Sequence, residues 1–227
     1  MIVLRKLLTV LLCLCLLVFP VKAASDEKLV ALTFDDGPSG RFTRQLLDGL
    51  DKRNVKATFL LCGYRMEQYP DLTLRIHNSG HEIGLHGYSH KCLGKSCKKD
   101  ADEEIKKSMA LIPEGCEVTF LRSPGGLCSK GVEAAAKDWG LSLLYWSVDP
   151  KDWATKDADA VEKQVIRQVK DGDIILLHDM SDSSVEAALV IVDELLEEGF
   201  RFVTVSRLAQ MRGAALLPGE DYYHFRK

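Results

Sequence analysis

The sequence lacks any basic tract interleaved with aromatic residues, and its 227 residues carry a net charge of −3. Proteins that bind nucleic acids present clustered Lys and Arg, so this absence argues against a nucleic-acid partner. Linkers, low-complexity segments and internal repeats are also missing. An apolar content of 46% and a charged content of 28% are ordinary for a folded globular protein. We therefore expect one domain with a substantial core.

No apolar run has the roughly 20 residues of an ordinary membrane span, but a shorter one lies near the N-terminus. Arg5 and Lys6 precede about 15 apolar residues (7–21), and Val21-Lys22-Ala23 has small residues at the two positions that signal peptidase recognises. We predict a signal peptide over residues 1–23 and an exported protein, either secreted or at the cell envelope. An uncleaved membrane anchor is the alternative. Removal of residues 1–23 takes away three basic and no acidic residues, which changes the net charge from −3 to −6.

Five cysteines follow residue 23, and an odd number outside the cell leaves at least one unpaired thiol. Cys92 and Cys97 enclose a short loop and suit a small disulfide ring, while Cys116 and Cys128 flank one predicted strand and form a second candidate pair. Cys62 ends an apolar strand and suits a buried free thiol. No His with an Asn or Asp partner accompanies it, as a cysteine nucleophile would require.

Apolar runs typical of strands alternate along the chain with amphipathic runs typical of helices. The predicted strands are Leu29–Phe34, Ala57–Cys62, His81–Leu85, Val118–Leu121, Leu141–Val148, Ile174–His178 and Phe202–Val205. The clearest helices cover 161–169 and 185–196, the latter with Ser183 or Ser184 as its N-cap and Gly199 as its stop. This alternation predicts a parallel sheet with right-handed crossovers. An α/β barrel of about seven parallel strands, closed or incomplete, is favoured over an open doubly wound sheet.

Ionisable residues follow five of the seven predicted strands, and in either architecture the carboxyl ends of parallel strands form the working face. The five segments are TFDDGP (33–38), HGYSH (86–90), RSPGG (122–126), DPKDW (149–153) and LLHD (176–179). Singly, each has an ordinary structural explanation, such as a turn or a surface ion pair. Together, two imidazoles and a carboxylate make a three-ligand set suited to zinc or a similar divalent ion.

The five segments resemble, in order, the signature motifs of the NodB-homology polysaccharide deacetylases, carbohydrate esterase family four. TFDDGP matches the first motif letter for letter, and the resemblance extends over residues 29–208. It implies a distorted, incomplete (β/α) barrel over residues 28–212, followed by a C-terminal tail over 213–227. It also implies a metal-dependent hydrolase that removes acetyl groups from N-acetylated sugars.

The resemblance assigns roles to particular side chains. The expected metal ligands are Asp36, His86 and His90. The expected catalytic residues are Asp35 as general base, His178 as general acid, Arg122 as the partner of Asp35, and Asp152 as the partner of His178. The expected substrate-binding residues are Gly125, whose backbone lies near the oxyanion, and Trp153 and Leu176, which form a pocket for the acetyl methyl. Asp149 has only a supporting role.

The expected cofactor is Zn²⁺, with Co²⁺ or a similar ion as the alternative. The expected partner is an N-acetylated glycan of the cell envelope, above all peptidoglycan. An O-acetyl esterase acting on xylan and a non-catalytic carbohydrate-binding relative are the competing interpretations. Two residues depart from the family pattern: Gly87 stands where Ser or Thr is usual, and Gly125 where a bulky residue such as Tyr is common. Neither change removes a ligand or an acid–base group, so we expect an active enzyme.

Overall fold

The computed structural model describes residues 27–227, so the predicted signal peptide lies outside the described residues. The strands are β1 (Lys28–Asp35), β2 (Thr58–Leu61), β3 (Glu82–Leu85), β4 (Phe120–Leu121), β5 (Ser142–Leu144), β6 (Asp173–His178), β7 (Phe200–Phe202) and β8 (Asp221–Tyr222). The α-helices are α1 (Arg41–Lys52), α2 (Gly63–Gln68), α3 (Pro70–Asn78), α4 (Lys98–Met109), α5 (Lys130–Asp138), α6 (Asp152–Thr155), α7 (Ala158–Gln168), α8 (Asp182–Glu197) and α9 (Val205–Met211). Within residues 27–227, no helix combines the length and the apolar character that a membrane span requires.

The strands form one parallel sheet in the order β6-β1-β2-β3-β4-β5-β8, and β7 pairs with the first residues of β1. The sheet curls until the segment after β5 reaches β6. There Val148 and Ile175 form a parallel bridge, and the N–H of Leu176 donates to the Val148 carbonyl over 2.9 Å. The structure thus confirms the distorted (β/α) barrel.

The two faces of the sheet bury two separate apolar clusters. Val30, Leu32 and Phe34 of β1 pack with the helices in the larger cluster. Leu29 and Ala31 point the other way and pack with α9 in the smaller one. Each fully buried Leu or Phe contributes about 1.5–3 kcal/mol to folding. Because side chains alternate between faces, Thr33 and Asp35 continue the face of Leu29, and this alternation directs the Asp35 carboxylate toward the site described below.

The observed boundaries differ from prediction at β7 and at the start of α8. β7 begins at Phe200 rather than Phe202, and Ser181 caps α8 by accepting the N–H of Ser184, so the predicted caps Ser183 and Ser184 are wrong. In the predicted tail, 213–227, strand β8 pairs with β5 and Phe225 is buried. A two-residue strand is too short to show periodicity, so β8 could not be predicted from the pattern of apolar residues.

All five cysteines within residues 27–227 are free thiols in the structure. Neither candidate pair, Cys92–Cys97 or Cys116–Cys128, is therefore bonded. Cys62 is fully buried, as predicted, and burial raises the pKa of its thiol, which keeps the sulfur protonated and unreactive.

Candidate active site

A cavity of about 370 Å³ opens at the carboxyl ends of the strands. It is lined by Asp35, Asp36, His86, His90, Gly125, Trp146, Asp149, Trp153, Leu176 and His178. Nine of the eleven residues singled out from the sequence therefore share one cavity. The other two, Arg122 and Asp152, are buried and contact members of that group.

Asp36, His86 and His90 bring three potential ligand atoms together at one side of the cavity. The Nε2 atoms of His86 and His90 lie 3.4 Å and 2.9 Å from Oδ1 of Asp36, and one ligand atom from each residue lies within 4.8 Å of the others. Tetrahedral zinc with bonds of about 2.0–2.2 Å separates its ligand atoms by roughly 3.3–3.5 Å. The three side chains are therefore close to the spacing that one divalent ion requires.

The condition of Asp36 also fits a cation. Its buried Oδ1 makes no well-aligned hydrogen bond although two ring nitrogens converge on it. Burial opposes ionisation, but the two imidazoles hold the pKa of Asp36 well below its usual range, and Asp36 in turn raises the pKa of His90. A charged carboxylate whose buried oxygen has no directed donor suits a metal ligand.

His86 is oriented through its second ring nitrogen. Its Nδ1 lies 2.8 Å from the carbonyl oxygen of Arg122. A carbonyl only accepts, so Nδ1 carries a proton and donates, which makes Nε2 the ring nitrogen that is available to a metal ion. A backbone carbonyl holding the outer nitrogen of a ligating His is a common arrangement in metal sites.

Asp35 lies beside the metal ligands and is paired with Arg122. Nη1 of Arg122 donates to Oδ1 of Asp35 over 2.7 Å, and both side chains are almost completely buried. Nη1 also donates to the Thr33 hydroxyl, while Nε and Nη2 donate to the carbonyls of Leu144 and Tyr145. Each nitrogen of the guanidinium therefore has an acceptor, and these contacts fix Arg122 against the carboxylate.

His178 lies next to Asp35 because the two residues are register partners on neighbouring strands. Asp152 holds it twice: Oδ1 accepts from the ring Nδ1 over 2.8 Å, and Oδ2 accepts from the backbone N–H over 2.9 Å. Burial alone would lower the pKa of His178, but the Asp152 carboxylate and the nearby Asp35 raise it to about 9. The imidazole is therefore cationic at neutral pH, with Nε2 directed away from Asp152.

The apolar part of the cavity comes from Leu176, Trp153 and Trp146. Leu176 is buried beside the acidic groups, whereas Trp153 is 61% exposed at the rim. Sequence reasoning did not single out Trp146, whose ring lies 5.5 Å from the Arg122 guanidinium. Trp146 lies two residues beyond Leu144, the last residue of β5, and packs against the same apolar cluster; its place in the predicted strand Leu141–Val148 was the available signal.

Asp179 ends the LLHD segment, but no role for it followed from the sequence. It is fully buried behind Gly37, accepts from the Thr43 hydroxyl, and its pKa is raised to about 6 by burial. A Cβ on Gly37 would fall 2.6 Å from its Oδ1. The glycine of TFDDGP is therefore required by this close approach.

Comparisons with known proteins agree with this geometry. The polysaccharide deacetylase family matches residues 22–144. A peptidoglycan-N-acetylglucosamine deacetylase of Bacillus cereus is 35% identical over 194 residues, which cover 83% of this chain and 91% of that protein. This chain belongs to the polysaccharide deacetylase family.

Two solved structures extend the likeness. The peptidoglycan deacetylase PdaC of Bacillus subtilis superposes with a TM-score of 0.78 at 34% identity, covering 83% of this chain and 93% of the solved one. An acetyl xylan esterase of Clostridium thermocellum, solved with cobalt, gives 0.81 at 34% identity, covering 87% and 98%. By sequence, the match to PdaC covers 82% of this chain but only 40% of that protein, so this chain spans less than half of that relative's length.

Proposed function

We propose that this protein is a metal-dependent de-N-acetylase of amino sugars in a cell-envelope glycan, with peptidoglycan as its substrate. The observation that carries the proposal is the convergence of a three-ligand set, a buried carboxylate and a cationic imidazole on one cavity. Amide hydrolysis needs all three, because the carbonyl is a poor electrophile and the amine a poor leaving group. The similarity to peptidoglycan deacetylases supports the choice of substrate.

Asp36, His86 and His90 would hold the ion. When bound, a divalent ion supplies Lewis acidity that polarises the acetyl carbonyl and makes water a stronger nucleophile. Two nitrogens and one oxygen suit Zn²⁺, with Co²⁺ as the alternative that the cobalt-containing relative supports.

The protein's own groups carry the proton transfers. Asp35, held by Arg122, accepts the proton of the attacking water. His178 enters as the imidazolium and donates its Nε2 proton to the departing amine nitrogen, which gives a free amino sugar and acetate. Asp152 keeps that imidazole charged and correctly turned.

The substrate's acetyl group would lie between the charged and apolar sides of the cavity. Leu176 and Trp153 provide surface for the methyl group. The N–H of Gly126 already donates to Ser123, so we assign the oxyanion contact to the N–H of Gly125.

Acetate release from peptidoglycan with added Zn²⁺ tests this function. The unaltered chain should release acetate, a chelator should stop the release, and zinc should restore it. Acetate release that is absent, or that a chelator leaves unchanged, contradicts the proposal. A protein that binds the glycan, releases nothing and is indifferent to Asp35→Asn would be the carbohydrate-binding relative.

A second candidate is supported by the likeness to the acetyl xylan esterase. The same groups can hydrolyse an ester, whose alkoxide also leaves after protonation by His178. Parallel assays on N-acetylated glycan and O-acetylated xylan separate the two, since the first function predicts the higher kcat/KM on the amide.

We also propose that the protein is exported to the cell envelope. The apolar run over residues 7–21 and the nearby small residues of Val21-Lys22-Ala23 support this location. N-terminal sequencing of the protein from the cell surface and the medium tests it. A new N-terminus at Ala24 indicates cleavage, an intact Met1 in the membrane fraction indicates an anchor, and a protein confined to the cytoplasm contradicts export.

A further inference from the structure

The segment that joins the two histidine ligands, residues 86–90, has an unfavourable backbone. His90 adopts a φ of 58° and Gly87 a φ of 75°. The left-handed region is uncommon for a residue with a side chain, and it persists only where surrounding structure imposes it. Something outside the segment must therefore hold His90 where its Nε2 meets Asp36.

Part of that hold comes from the start of α2. The N–H groups of Gly63 and Tyr64 donate to the carbonyls of Gly87 and Tyr88 over 2.9 Å and 3.0 Å. These contacts fix the carbonyl side of the segment. The N–H of His86 donates to the carbonyl of Leu61, so the N–H groups of Tyr88 and Ser89 need another partner.

That partner is Glu104 of α4. Its Oε2 accepts the N–H groups of Tyr88 and Ser89, each over 2.8 Å, and its two oxygens also accept the Ser89 hydroxyl at 3.0 Å and 3.1 Å. Lys91 Nζ lies 3.3 Å from Oε1. Glu104 is only 5% exposed, yet it does not line the cavity and has no part in the proposed chemistry. A buried carboxylate of this kind is costly unless its donors are in place.

Gly87 explains why the support has to come from another helix. A Cβ there would lie 3.3 Å from Oε2 of Glu104, and the positive φ makes any side chain strained. The segment thus has no hydroxyl of its own next to His86.

We propose that Glu104 is a positioning residue for the metal site: it fixes the backbone between His86 and His90 so that both imidazoles meet Asp36. The inference rests on the proposed function in one respect, that these three residues hold a divalent ion. It adds that the ion's affinity depends on a carboxylate that never touches it. Losing such an outer partner typically weakens metal binding by about 10–100-fold.

Zinc affinity of the full chain, measured by competition with a chromophoric chelator, tests this. Glu104→Gln keeps the size of the side chain but puts an N–H₂ group among four donors, so the Kd of this variant for Zn²⁺ should rise by about 10–100-fold. Glu103→Gln, on the neighbouring exposed position of the same helix, removes the same charge and should leave the Kd unchanged. Acetate release by Glu104→Gln should recover at high zinc concentration, which a collapsed structure would not allow.

Ser89→Ala is the second variant, for use if Glu104→Gln does not fold. It removes only the hydroxyl contact of an exposed residue with Glu104, so its Kd for Zn²⁺ should also rise, by a smaller factor. Equal zinc affinity in the unaltered chain and in Glu104→Gln, or in Ser89→Ala if the first variant is unfolded, overturns this inference alone. No zinc binding by the unaltered chain overturns it together with the proposed function.

Discussion

The two ends of the barrel both carry arginine–aspartate pairs of nearly equal length, yet their surroundings differ. At the end where the strands finish, Arg122 and Asp35 lie 2.7 Å apart and are almost completely buried. At the opposite end, beside a cavity of about 540 Å³, Arg53 and Asp193 lie 2.6 Å apart with Asp193 half exposed. Distance alone does not distinguish a working pair from a surface pair.

Burial and convergence do distinguish them. Water screens Arg53 and Asp193, and such exposed pairs contribute about 0–1 kcal/mol. At the end where the strands finish, His86 lies within 4 Å of both the Asp35 and Asp36 carboxylates, and His90 lies within 4 Å of Asp36. His178 is nearby, and its pKa is raised to about 9. Concentrated, desolvated charge with shifted pKa values is typical of catalytic sites.

The largest expected effect is on catalysis. Asp35→Asn should lower kcat by about 10²–10⁴-fold, because it removes the proton acceptor while keeping the shape. Asp193→Asn at the opposite end should leave kcat unchanged. Steady-state acetate release by both variants at saturating zinc makes the comparison, and equal rates would remove Asp35 from the mechanism.

The next effect is on stability. Arg122→Met leaves Asp35 buried without its cation and should lower the free energy of unfolding by about 3–5 kcal/mol. Arg53→Met should lower it by less than about 1 kcal/mol. Urea denaturation of the metal-free proteins measures both, and similar losses would mean that burial does not separate the two ends.

The pH dependence of the site follows from His178. Its folded pKa of about 9 lies above the unfolded value, so the Asp152–His178 pair stabilises the fold fully below pH of about 6.5. That contribution is lost as pH rises through 9. Catalysis needs the same proton, so kcat should fall as pH rises and His178 loses it. A bound cation lowers the pKa of His178, so the midpoint of this fall should lie at or below about 9.

Asp152→Asn tests whether His178 causes the fall of kcat at high pH, the alkaline limb of the pH profile. The change removes the negative charge that keeps His178 protonated, so the midpoint of that limb should move to lower pH by about 1–2 units. Asp182→Asn, which breaks an exposed pair with Arg41, should leave the limb where it is. A limb that stays in place in Asp152→Asn would assign it to another group.

The smallest effect concerns the two exposed tryptophans. Trp153 at the cavity rim and Trp139 at the end of α5 are both partly exposed. Trp153→Ala should lower kcat/KM by up to about 10-fold, in line with the 0.5–1.5 kcal/mol of an aromatic contact. Trp139→Ala should not change it. Equal values for both variants would mean that Trp153 does not contact the substrate.

Much of the site could be predicted because its residues lie directly after the ends of predicted strands. Asp35 and His178 stand at the carboxyl ends of two predicted strands and the adjoining motifs supply the metal ligands, so one shared edge could be predicted; that β1 and β6 pair with Asp35 opposite His178 is seen only in the structure. Short motifs with fixed spacing can be recognised directly in a sequence, because all their residues are close together along the chain. The seven parallel strands followed from alternation of apolar runs for the same reason.

What escaped prediction depends on contacts between distant segments. Glu104 lies on α4, where a carboxylate among Ala101 and Ile105 looks like an ordinary helix residue until the loop above it is known. The burial of Asp179 behind Gly37 and the contact of Trp146 with Arg122 can be seen only once the chain is folded. The two-residue strand β8 is specified by pairing with β5, which no local pattern encodes.

Anomalous diffraction above the zinc edge, from crystals of the protein grown with Zn²⁺, tests the central claim most directly. The account predicts one strong peak within bonding distance of Asp36 Oδ1 and the Nε2 atoms of His86 and His90. A peak elsewhere, or none at this mouth of the barrel, would contradict it.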